Sequence, residues 1–211
     1  MKKKIIFFLL IFFTLLLNNS YTKELSNNVV VSINNEIITE LDINKEMNFI
    51  KFVTKSESTK KLSEFKAEAV QALIDRKIKN IEANNLKVLV SEKEVEISIY
   101  NYLAGQNIKI EDLNAFYKAN EIEDDYLKNI IKVDMQWSQM IRGIYENRIN
   151  VNLTELNKEL QKENQNASEN QKLKDQLIIT EQNILLNKFA ASHLEKSKKK
   201  YLIKFLWEKI L

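Results

Sequence analysis

The chain has 211 residues, 32 basic and 29 acidic side chains, a formal charge of +3, two glycines, one histidine, and neither cysteine nor proline. Without cysteine there can be no disulfide, thiol catalysis, cysteine zinc site or lipoprotein anchor. A Ser-His-Asp triad would have to use His193, which lies in a lysine-rich segment with no nucleophile motif, and no GxGxxG or Walker loop occurs.

The first element is apolar. Met1-Lys2-Lys3-Lys4 is followed by Ile5 to Leu17, interrupted only by Thr14, and then by Asn18, Asn19 and Ser20. As a helix this run reaches roughly 20 Å, short of the roughly 30 Å of a bilayer core. Residues 1–22 therefore read as a secretory signal peptide, with small residues for cleavage near Ser20-Tyr21-Thr22, and place the protein in the periplasm. An uncleaved anchor is the alternative. The leader holds three lysines and no acid, so the rest of the chain is near neutral and nucleic acid loses its main support as a partner.

Val29 to Ile33 is β-branched and strand-like, Asn34-Asn35 is a turn signal, and Glu36-Ile37-Ile38 suits a second short strand. Thr39-x-x-Asp42 resembles a capping box and predicts a first helix from about Glu40 to Val53, with Leu41, Ile43, Met47, Ile50 and Val53 as its apolar positions. After the polar stretch Lys55 to Lys61, a second helix runs from about Leu62 to Asn84 on the stripe Leu62, Phe65, Ala69, Leu73, Ile78 and Ile81. Lys87 to Val90 reads as an extended link.

Ser91-x-x-Glu94 is a full capping box and opens a third helix that ends at Gly105-Gln106-Asn107. A fourth covers about Ile110 to Ala119. The fifth is long, about Glu123 to Arg148. Its main stripe is Tyr126, Ile130, Val133, Trp137, Ile141 and Ile144, and Leu127, Ile131 and Met135 lie beside it. So wide an apolar arc predicts cover from more than one side. Asn152-x-x-Glu155 suits another cap, and Glu163 to Gln171 reads as a polar, loop-like break. The last helix covers about Lys172 to Lys200, and Tyr201 to Leu206 reads as a strand. An isolated strand leaves backbone groups unpaired. Val29–Ile33 is therefore expected to pair with Tyr201–Leu206. The fold class is mainly α, a multi-helix core with a small β element formed by the N-terminal and C-terminal strands.

In this order and spacing, several segments resemble the N-terminal domain of SurA-type periplasmic chaperones. They are Val29 to Asn34 with Ile38-Thr39 and Asp42-Ile43; Leu73 to Ile78; Leu86-x-Val88 with Ser91 to Val95; Tyr126-Leu127 through Trp137 to Tyr145; and His193-Leu194 to Ile203. The resemblance implies a leader over 1–22, a chaperone domain over 23–150 and a C-terminal helix and strand over 172–211 that complete it. Many family members insert parvulin-type prolyl isomerase domains between these parts. Here residues 151–171 are a short connection, so the resemblance implies a chaperone core without isomerase activity. The turn glycines and prolines common in the family are also missing.

The function so implied is an ATP-independent periplasmic chaperone that binds unfolded envelope or outer-membrane polypeptides through an apolar groove. Candidate client-binding residues are Leu127, Ile131, Met135, Trp137, Met140 and Tyr145, because flexible methionines and flat aromatics accept many sequences. The plainer reading of all six is core. His193 reads as a solvated helix residue, and Lys196, Lys198, Lys199 and Lys200 as a solvated face at a helix C-terminus. Glu92, Glu94 and Glu96 are explained by placement near a helix N-terminus. No catalytic residue, cofactor, metal or nucleic-acid partner is expected. The chain would work as a monomer or a domain-swapped dimer, with transient contact with the membrane or the barrel-assembly machinery. Two other readings are an envelope adaptor that grips one fixed partner, anchored by an uncleaved N-terminus, and a degenerate prolyl isomerase.

Overall fold

A computed structural model describes residues 28–55, 61–151 and 167–206, with side chains from 172 onward in the last stretch. The leader, most of the Lys55–Lys61 connection and the Asn152/Glu155 cap lie outside the described residues. Strands β1 (Val29–Ile33) and β2 (Glu36–Thr39) come first. Helices α1 (Glu40–Thr54), α2 (Leu62–Asn85), α3 (Glu92–Gly105), α4 (Ile110–Asn120) and α5 (Tyr126–Tyr145) follow, and a 3₁₀ turn over Glu146–Arg148 extends α5. The long helix α6 (Ala167–Lys198) and strand β3 (Ile203–Phe205) finish the described chain. The mainly helical class with a small sheet from both ends is as expected.

The sheet is antiparallel in the order β2-β1-β3. Asn34 adopts the left-handed conformation that lets a two-residue loop reverse β1 into β2, with Ile33 opposite Glu36. On its other side β1 pairs with β3, Val31 opposite Phe205, Ser32 opposite Lys204 and Ile33 opposite Ile203. The same Asn34 fastens the incoming end. Its amide donates to the Leu202 carbonyl at 3.1 Å, and its side-chain oxygen accepts from the Leu202 amide at 2.9 Å. The expected closure is thus present, with the regular strand shortened to three residues.

Local signals explain the helix starts. Thr39 and Asp42 form a reciprocal cap at the start of α1, and Ser91 and Glu94 do so for α3. The α1 stripe is incomplete in the sequence reading. Ile43 and Ile50 face the sheet and α2, but Phe49 is also buried, against α4 and α5, so α1 is covered on two sides. Leu62, in the first turn, fails to join the α2 stripe and is 64% exposed. The polar stretch before α6 is a correction: the helix begins at Ala167, inside the segment read as a loop. Ala, Glu, Gln and Lys favour helix even where no apolar period marks it.

Apolar side chains gather in three places. One joins the sheet to α1 and α2 around Val31, Ile33, Ile43, Phe65 and Ile78. The second joins α1, α4 and α5 around Phe49, Leu113, Tyr117 and Leu127, with Leu103 of α3. The third joins α5 to α6 through Trp137, Met140, Ile141 and Leu186. α5 touches α2, α3 and α6, the multiple cover its wide arc implies. Between the first two clusters a buried carboxylate, Glu46, receives both guanidinium arms of Arg76 at 2.7 and 2.8 Å and the Tyr126 hydroxyl at 2.5 Å. Three helices are thereby pinned by one polar contact set. Among the described residues no helix is long and apolar enough to cross a membrane.

Candidate functional site

The amphipathic pattern of α5 leaves α6 only part of its surface to cover. Where the two helices meet, two clefts of about 350 Å³ each open side by side. They share Ser138 of α5 and Asn187 and Ala190 of α6. The first continues along Ile141, Arg142, Asn183 and Leu186. The second continues along Trp137, Ala191 and Leu194 to a rim formed by Lys79 of α2 and Asp134 of α5, which are ion-paired at 2.7 Å. The linings are mixed, with Trp137, Ile141, Leu186, Leu194 and two alanines set among at least as much polar surface. The rims carry amides, a hydroxyl and internally paired charges.

An aromatic joint holds α6 against α5. Tyr145 stacks on Phe189 with ring centres 4.7 Å apart, and its hydroxyl meets His193 Nδ1 at 2.9 Å. Trp137 packs edge-on against the same imidazole. His193 is therefore a half-buried member of the joint, which corrects its reading as a solvated residue. Burial pushes its pKa below the ordinary value; Glu82 works against that shift, while Lys200 and Lys196 add to it. The lysine run is likewise partly committed: Lys198 pairs with Asp75 at 2.8 Å and Lys200 with Glu82 at 3.1 Å. Burial alone would raise the Glu82 carboxyl, but hydrogen bonds from Lys200 and Tyr201 hold it below its ordinary range. In return, burial and the neighbouring Glu82 push the Tyr201 phenol up to about 12.

Five of the six candidate residues divide between two clusters. Leu127 is buried and Ile131 half-buried in the second cluster, away from the clefts. Trp137, Met140 and Tyr145 meet in the third, where Trp137 and Met140 are buried. Met135 is half-buried and lines neither cleft. Only Trp137 of the six contributes to a cleft wall. Sequence reasoning missed Ser138, Asn183 and Asn187. Their only signal was spacing: Asn183 and Asn187 are one helical turn apart and share a face. Two of the acidic triplet have ordinary structural partners: Glu92 pairs with Lys128 and Lys132 across to α5, and Glu94 closes the α3 cap. Exposed apolar surface also occurs on and before α3, where Leu89 is 84% and Tyr100 74% exposed. Among the described residues no group of three or more His, Asp or Glu side chains is placed to hold a metal ion.

No curated protein matches the chain. Residues 2–131 match the family described as the SurA-like N-terminal domain, and no parvulin domain is matched. The match takes in the hairpin, all of α1 to α4 and the first turns of α5. It covers more than half of the sequence, and the chain belongs to the SurA-like N-terminal domain family.

Proposed function

We propose that the protein is an ATP-independent chaperone of the periplasm that holds unfolded envelope polypeptides, outer-membrane β-barrel precursors among them, without catalysing a reaction on them. The observation that carries this reading is the pair of open clefts between α5 and α6 in a member of this family. An unfolded chain offers apolar side chains and free backbone groups. A folded one hides both, so a surface that mixes apolar side chains with amides and a hydroxyl discriminates by state rather than by sequence. Release then needs no nucleotide, because folding of the client removes what is bound. The leader read over residues 1–22 supports the compartment, and Ala190 and Ala191 leave room for a passing chain.

The test is suppression of aggregation of a urea-unfolded barrel protein diluted into buffer, combined with photo-cross-linking. A cross-linker at Ser138 or Asn187 is expected to capture the client, and one at exposed Lys118 on α4 is not. Failure to slow aggregation, with capture of a single stoichiometric partner instead, would show a dedicated adaptor.

A further inference from the structure

We propose that Asn183 and Asn187 form a two-rung ladder that hydrogen-bonds the backbone of an extended polypeptide lying along the α6 wall of the paired clefts. The proposal rests on the chaperone reading and specifies what its site recognises. Both asparagines are exposed and line the first cleft, and Asn187 also lines the second. Four residues of α-helix rise about 6.0 Å. Two residues of an extended chain advance about 6.6–6.8 Å, and its backbone groups repeat on one side at that interval. The two amides are thus spaced to meet equivalent peptide groups of residues n and n+2.

The chemistry fits as well as the spacing. Each asparagine amide offers a donor and an acceptor, which a peptide group requires, and the Ser138 hydroxyl offers both from the opposite helix. Neither asparagine amide nor the Ser138 hydroxyl has a side-chain hydrogen-bond partner among the described residues. Ala190, beside them, is small enough for a backbone to approach. The nearby charges are internally compensated, Lys79 by Asp134 at 2.7 Å and Arg142 by Glu146 at 3.8 Å. Such a rim selects neither an anion nor a cation. It suits the neutral backbone common to every client.

The test uses the full-length protein and a fluorescent ten-residue peptide of alternating apolar and polar residues. The N183A/N187A double variant keeps its fold, since alanine is the better helix former at exposed positions, and thermal melting checks this. It is expected to bind the peptide about tenfold more weakly, as for the loss of two hydrogen bonds. Backbone N-methylation at alternate residues of the peptide, in the phase that faces α6, is expected to weaken wild-type binding and add little in the double variant. The opposite phase is expected to have little effect. Equal binding by wild type and double variant, equal effects of both methylation phases, or no binding of the peptide to the wild type overturns the ladder. An A191W variant, which plugs the second cleft, separates the levels of failure. If A191W abolishes binding and N183A/N187A does not, the clefts bind but the ladder is wrong. If neither substitution matters while aggregation is still suppressed, the client sits elsewhere and the chaperone reading survives alone.

Discussion

Glu46 is 2% exposed, and a carboxylate so placed is tolerable only because Arg76 and Tyr126 surround it. Burial disfavours the Arg76 charge, but the hydrogen bond and charge of Glu46 outweigh it and hold that pKa above its ordinary value. Burial together with Glu46 also pushes the Tyr126 phenol far up. Arg76→Ala leaves an uncompensated buried charge and is expected to cost about 3–5 kcal/mol in urea unfolding, whereas the paired change Glu46→Leu with Arg76→Met recovers most of it. A loss below 1 kcal/mol for the single variant would show that water reaches the site. At His193 the sign of the pH dependence follows from its lowered pKa. The unfolded chain takes up the proton first, so stability falls as pH drops through the ordinary value of 6.5 toward the lower folded one. Glu82, held ionised, does not titrate in that window. His193→Gln is expected to flatten the urea midpoint between about pH 7 and 5.5. Neither arrangement was legible in the sequence. Arg76 meets Glu46 across 30 positions and His193 meets Tyr145 across 48, and no local pattern reports such pairs.

The helix boundaries were largely legible, because capping residues act within one turn. Thr39 and Ser91 mark the starts of α1 and α3 within a residue. The ends are different. Lys55, Glu121 and Asn107 hold left-handed backbone just after α1, α4 and α3, and Lys87 does so after α2. Glycine is the usual residue there, and the chain's two glycines lie elsewhere, inside α5 and as the last residue of α3. Relief of the left-handed strain, less the unfolded-state entropy of glycine, leaves a net gain of about 0.5–1 kcal/mol. Glu121→Gly is therefore expected to raise the melting temperature, and a fall would mean that the Glu121 side chain has a stabilising role of its own. The start of α6 was illegible for the opposite reason. Its first residues, ASENQ, show no apolar period in the sequence, so periodicity says loop while intrinsic propensity says helix.

On the scale of the molecule, the joining of both ends was readable because the late strand-like segment needs a partner and the other strand-like segments all lie near the start. Whether α5 presents its apolar residues to a client or to α6 was not readable. That depends on how α6 crosses it, and crossing is set by contacts such as Tyr145 on Phe189 that periodicity does not encode. The closure also allows a direct test of chain exchange. Ser32 and Lys204 lie opposite each other as a hydrogen-bonded pair, within reach of a short bis-maleimide linker, in a chain with no other cysteine. Ser32→Cys with Lys204→Cys, treated with that linker, is expected to give a monomer cross-linked within the chain. A covalent dimer on a denaturing gel would reveal that the closing strand is swapped.

Asn34 and Leu202 are 168 positions apart, yet each supplies the other with a hydrogen bond. Synthesis makes Asn34 long before Leu202. Until then one edge of β1 has no β3 to meet, and an open strand edge is a template for whatever extended chain is near. The sheet of this protein is therefore completed only after all of the helices between β2 and β3 have been made. For that interval the growing polypeptide carries the same liability that it is proposed to relieve in others.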